Sequence, residues 1–340
     1  MRSTYRSLLS MLVLAAVVVW ISPAAAQTDD EVHIRPRIAE PAAAASAAAS
    51  VPNGPLTDLN THTRPIRSDV DLVLVPVTIT DPMDRLVTGL DKENFQIYEG
   101  DRAEPIRTFA TDDAPISVGI LFDMSGSMAD KLEKSREAVV QFMQTANPLD
   151  EFFMITFNDK PDMISGFTND IEKIQGKLVF TNPKGMTSLL DAIYLGLDEM
   201  KHAKYERKAL LVISDGGDNH SRYTENEIKS RVKEADVQMY AIGLFDSYGR
   251  TTEERFGPQL LGELTDVTGG RTFTIENPND LADVATKIST ELRNEYVIGY
   301  KPNPKPHDGK WHKIKVKLLP PKGLPPLHVT ARTGYYAAEK

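Results

Sequence analysis

The 340-residue chain contains no cysteine. That absence excludes disulfides, thiolate metal centres and cysteine nucleophiles together. Nucleotide-binding loops are absent too: there is no Gly-x-Gly-x-x-Gly dinucleotide fingerprint and no Walker-type Gly-Lys-Ser/Thr. The Gly-x-Ser-x-Gly nucleophile elbow and the His-Glu-x-x-His zinc motif are also missing, which leaves little support for an enzyme. Basic excess is lacking, since the formal net charge is −9. A surface of that sign disfavours nucleic acid and anionic membrane as general partners.

Long apolar runs are also scarce, and one of them opens the chain. Arg2 and Arg6 precede the apolar segment Leu8 to Ile21, and Ala24-Ala25-Ala26 ahead of Gln27 fits a small-residue cleavage site. Residues 1–26 therefore read as a secretory signal peptide, with an uncleaved anchor as the alternative. The segment holds both arginines and no acid, so the rest of the chain carries −11. No later stretch is apolar enough to cross a bilayer, so no transmembrane segment is expected after cleavage. Export, to the periplasm or the extracellular space, is the expected localisation, and an exported chain without cysteine fits a bacterium best. Residues 27–68, rich in Ala and Pro, read as a disordered linker.

The most informative run is Ile116 to Met128, ISVGILFDMSGSM. Its first half is continuously apolar, as expected of a parallel strand covered on both faces. It ends in Asp123-x-Ser125-x-Ser127, with Gly126 allowing a tight turn. A second apolar run, Ala209 to Asp215, repeats the design and is followed by Gly216-Gly217. Open parallel sheets bind ligands beyond the carboxyl ends of their strands, so Asp123 and Asp215 are expected to face one point. Thr187, in the turn Gly185-Met186-Thr187-Ser188, is placed to add a third hydroxyl. Hard oxygen donors of this kind suit Mg²⁺, with Mn²⁺ or Ca²⁺ as alternatives.

Asp123, Ser125, Ser127, Thr187 and Asp215 resemble the metal-ion-dependent adhesion site of von Willebrand factor type A domains, with all five positions filled. The resemblance implies that the open position on the metal takes an Asp or Glu from a partner protein. Integrin β subunits carry two acids for an adjacent second cation. Here Asp130 matches the first and Lys131 replaces the second, so a single metal is expected. The order of segments from 69 to 337 resembles the von Willebrand factor A-related exported proteins of acidobacteria.

The surrounding pattern alternates strands and helices. Helices are expected near 131–146, 171–178, 188–202, 224–235, 259–265 and 280–294, with strands at 152–157, 163–167, 237–244 and 271–275. This argues for a doubly wound, mostly parallel α/β domain over 114–294. The flanks alternate with period two instead, at Val73 to Ile79, Phe95 to Tyr98, Tyr296 to Tyr300 and Lys313 to Leu318. Phe95 to Tyr98 and Pro105 to Phe109 are expected to form a hairpin. Neither flank can bury a core alone, so 69–113 and 295–340 are expected to build one small β-sandwich into which the α/β domain is inserted.

The loops after the strands, Asp218 to Tyr223 and Phe245 to Arg250, are expected to form a ligand rim that includes His220, Arg222, Tyr223, Tyr248 and Arg250. The favoured reading is an exported, non-enzymatic protein that captures an acidic side chain of a protein partner through the metal. A Mg²⁺-dependent hydrolase, with His220 as the one candidate base, and a structural envelope protein with a vacant site are the alternatives. The last helix runs almost directly into Tyr296 to Tyr300, which raises the expectation that metal occupancy is coupled to the angle between the two modules.

Overall fold

A computed structural model of the chain describes residues 72–215, 217–245, 252–304, 306 and 308–337, with residues 252–256 described by backbone alone. The expected signal segment and linker, and the rim positions Tyr248 and Arg250, lie outside the described residues. Those described belong to one compact unit.

The N-terminal flank supplies β1 (Val73–Thr80), β2 (Phe95–Glu99), β3 (Arg102–Glu104) and β4 (Ile106–Ala110). The central part follows with β5 (Ser117–Asp123), α1 (Leu132–Thr145), β6 (Glu151–Phe157), β7 (Pro161–Thr168), α2 (Ile171–Leu178), α3 (Leu189–Glu199), β8 (Lys208–Ser214), α4 (Glu225–Glu234), β9 (Gln238–Leu244), α5 (Thr252–Thr268), β10 (Thr272–Ile275) and α6 (Leu281–Arg293). The C-terminal flank adds β11 (Tyr296–Tyr300), β12 (Trp311–Leu318), β13 (His328–Ala331) and β14 (Gly334–Tyr336).

The central sheet runs β10-β9-β8-β5-β6-β7. All neighbours are parallel except β7, which returns antiparallel to β6. Every residue of β5 and β9 is buried, which explains why these strands read as unbroken apolar runs. Side-chain alternation then sorts the layers. Val118, Ile120 and Phe122 pack with α1, α2 and α6 on one face, whereas Leu121 packs with α3, α4 and α5 on the other. Gly119 also faces the second layer: a Cβ there would lie 2.2 Å from Phe153 Cζ and 2.5 Å from Leu210 Cδ2. A ring therefore occupies the space a side chain would need.

The two flanks interleave. One sheet, β13-β1-β11-β4, and another, β14-β12-β2-β3, each draw strands from both ends of the chain. Their inner faces share a core that includes Val75, Val77, Ile97, Tyr296, Ile298 and Ile314. The Tyr296 hydroxyl donates to the carbonyl of Val87 and accepts from the amide of Leu90, both at 3.0 Å, closing one end of that core.

Two local expectations need correction. The hairpin partner of β2 is Arg102–Glu104, while the segment after Pro105 crosses to the other sheet and pairs with β11. Proline brings no amide to a ladder, so the chain changes sheets there. Helix α5 begins at Thr252 and passes through Pro258, where the expected helix started only at 259. The penalty of an internal proline is outweighed by burial of Leu260, Leu261 and Leu264 against the sheet.

The joint between the modules is held by polar contacts. Glu295, between α6 and β11, is 2% exposed and accepts hydrogen bonds from Gln238 Nε2 (2.5 Å), Arg207 Nη2 (3.2 Å) and the Tyr240 hydroxyl (3.4 Å). Thr78 of β1 adds a longer contact at 3.5 Å. Asp84, in the turn after β1, receives Arg271 at 2.5 Å and also Lys287.

Candidate functional site

Strands β5 and β8 are parallel neighbours, so Asp123 at the end of one and Asp215 just beyond the other emerge at the same edge of the sheet. Both are buried, at 0% and 4% exposure. The turn after β5 folds back on its own carboxylate: the Ser125 amide donates to Asp123 Oδ1 at 2.8 Å. The hydroxyls of Ser125 and Ser127 lie 3.1 Å apart. From β8 the Ser214 hydroxyl donates to Asp123 Oδ2 at 2.5 Å.

A second loop, residues 179–188 between α2 and α3, is stitched to the first. The Lys184 amide donates to the carbonyl of Met124 at 2.9 Å, and the Gly126 amide to that of Gly185 at 3.1 Å. Gly185 has φ +79°, and a Cβ there would lie 2.6 Å from Asp159 Oδ1, so glycine is required twice over. Thr187 follows, 4% exposed, its amide donating to Asn219 Oδ1 at 2.9 Å and its carbonyl accepting from the amides of Asn219 and His220. The loops after β5 and β8 and the connection between α2 and α3 thus meet around the five residues singled out in the sequence, of which Ser127 alone is exposed.

The electrostatics are unfavourable without a counter-charge. Burial, and then repulsion from Asp215, raise the Asp123 carboxyl above its ordinary range, against hydrogen bonds from Ser214 and Ser125 that lower it. Asp215 Oδ2 is buried and has no hydrogen-bond partner among the described residues. Among the described residues no three or more His, Cys, Asp or Glu side chains converge as a metal cluster. Any cation here would rest on two carboxylates and neighbouring hydroxyls, a donor set that fits a hard divalent ion.

The rim positions are placed as follows. His220 is exposed. The Arg222 amide and Nε donate to Asp191 at 2.9 and 3.0 Å, and the Tyr223 ring stacks on Tyr194 with centroids 4.1 Å apart. Asp191 itself is buried near the start of α3 and also accepts the Tyr223 amide. Asp218 accepts from the Leu190 amide and the Ser221 hydroxyl, and burial raises its carboxyl. Sequence reasoning missed Asn219, Asp191 and Asp218 as the residues that shape this loop, because each acts on a segment about 30 positions away.

Residues 118–217 match the profile of the von Willebrand factor type A domain. A protein of Borreliella burgdorferi without a characterised function is 22% identical over 188 residues, covering 48% of this chain and 55% of that protein. Human inter-alpha-trypsin inhibitor heavy chain H4 is 21% identical over 141 residues, 38% of this chain and 15% of that protein. The chain therefore spans about half of one curated relative and a small part of the other. A solved von Willebrand factor type A structure from Catenulispora acidiphila is 12% identical, covers 78% of this chain and 75% of that one, and superposes with a TM-score of 0.47. With its family profile, its six-stranded mostly parallel sheet and its helices on both faces, the chain carries a von Willebrand factor type A domain, a module that generally serves protein–protein interaction.

Proposed function

We propose that this protein is an exported binding protein that holds one divalent cation, Mg²⁺ or alternatively Mn²⁺ or Ca²⁺, through Asp123, Ser125, Ser127, Thr187 and Asp215. The observation that carries the reading is the pair of buried carboxylates at one sheet edge, with Asp215 Oδ2 unpartnered among the described residues and Asp123 raised by burial and then by its neighbour. A buried charge without a partner is costly, and a cation would relieve both groups at once.

When bound, the ion supplies net positive character and an open position for an oxygen ligand. This chain's residues do the rest. The Ser125 amide and the Ser214 hydroxyl orient Asp123, and Asn219 fixes the backbone of Thr187. The partner group proposed is an Asp or Glu side chain of another protein. Ser125 and Ser127 hydrogen-bond one another, an arrangement suited to holding an ion. Export rests on the N-terminal Arg2, Arg6 and Leu8 to Ala26 pattern. Among the described residues no helix is long and apolar enough to cross a membrane.

Calorimetric titration of the purified chain with MgCl₂ is expected to give one site. Asp123→Ala should abolish it while circular dichroism stays unchanged. Equal Mg²⁺ affinity in that variant sinks the assignment. Capture of an envelope partner that EDTA releases would support the protein–protein reading.

A further inference from the structure

The loop that closes the candidate metal site carries apolar side chains that stand exposed among the described residues. Leu178, the last residue of α2, is 1% exposed, but the next two residues, Val179 and Phe180, are 57% and 85% exposed, and Met186 is 48% exposed. Single exposed apolar residues are ordinary. Three of them on the nine residues 179–187 that lead into Thr187 form a pattern, because the loop is also tied down.

Its anchors are next to the site. The Thr181 hydroxyl donates to the carbonyl of Leu178 at 2.6 Å and lies 3.6 Å from Met124 Sδ, while Arg136 donates to the Thr181 carbonyl. Lys184 and Gly185 are bonded through their backbones to Met124 and Gly126, residues of the Asp123-x-Ser125-x-Ser127 turn itself. The Met186 amide donates to Asp159 Oδ1 at 2.7 Å. Phe180 and Met186 thus stand on fixed backbone, where binding forfeits little conformational entropy. Lys184, exposed between them, gives the rim a charge that complements an acidic partner.

We infer that this loop is the specificity edge of the site: it reads a large apolar side chain that neighbours the metal-capturing acid on the partner protein. The inference rests on the metal-capture reading above. It names the occupant as an acidic–apolar peptide segment. The exposed Phe180 ring and Met186 thioether would then bury apolar area on complex formation, the part of an interface that carries most of the affinity.

The test uses a displayed library of random peptides with a fixed central Asp, selected on the purified protein in MgCl₂ and in EDTA. Wild type should enrich Leu, Phe, Met, Trp or Tyr near the Asp, in Mg²⁺ only. The double variant Phe180→Ser/Met186→Ser should bind Mg²⁺ by calorimetry as wild type does and still select Asp peptides, but without the apolar bias. Single apolar-flanked peptides should bind it about tenfold more weakly. Asp selection with no apolar bias in wild type, or an unchanged bias in the variant, overturns this inference and leaves metal capture standing. Failure of wild type to take up Mg²⁺, or selection indifferent to EDTA, overturns the metal reading and the inference with it.

Discussion

Replacing Asp123 by Asn separates the two roles assigned to this carboxylate. In the wild-type fold its carboxyl is buried beside Asp215, and burial together with that repulsion disfavours its charged form, a cost that a cation bound between the two would offset. Asparagine keeps the shape: its carbonyl can still accept the Ser125 amide, and the Ser214 hydroxyl can turn to accept the new amide group. A ligand that binds only the folded state at a hundred times its Kd stabilises by about 2.7 kcal/mol. For a domain of this size each kcal/mol moves Tm by about 2–4 °C, so saturating Mg²⁺ should raise the wild-type Tm by about 5–10 °C. In Asp123→Asn the shift should vanish, while in EDTA the variant should melt at or above the wild-type temperature because one buried charge is gone. Scanning calorimetry in MgCl₂ and in EDTA reads both quantities. A variant that keeps the full Mg²⁺ shift, or that melts far below wild type in EDTA, refutes the reasoning.

Other parts of the molecule make equally specific demands. Glu295→Ala removes the acceptor shared by Arg207, Gln238 and Tyr240 and leaves the half-buried Arg207 charge with only the carbonyls of Ala114 and Leu292, so urea unfolding should show a loss of about 3 kcal/mol. Glu291 is held at about 7, above its ordinary 4.5, because burial outweighs Arg271 and Lys287. A raised carboxyl contributes stability that is complete below 4.5 and lost as pH rises through 7. Glu291→Gln should therefore flatten the fall in stability between pH 5 and 8 by about 1–3 kcal/mol, as measured by denaturation at each pH. Gly119→Ala forces a methyl against Phe153 and Leu210 and should cost about 1–3 kcal/mol, seen as a lowered urea midpoint with an unchanged slope.

The alternation of strands and helices was legible in the chain because burial on both faces leaves β5 and β8 apolar without interruption, a local pattern. The period-two flanks were legible for the complementary reason, that burial on one face alone leaves alternation, and their shortness showed the need for each to borrow strands from the other. Asp123, Ser125 and Ser127 could be picked out because a turn places them together within five residues. Tertiary structure alone decided how Thr187 is held, since Asn219 reaches it from 32 positions away. The same holds for Glu295: in sequence it follows Arg293 and Asn294 and looks like a solvated helix end, yet partners on β1, on β9 and just ahead of β8 enclose it. Apolar periodicity records which face of an element is covered. A buried charge leaves no periodic trace, because what makes its burial tolerable is a set of donors that only the folded chain brings within 3.5 Å.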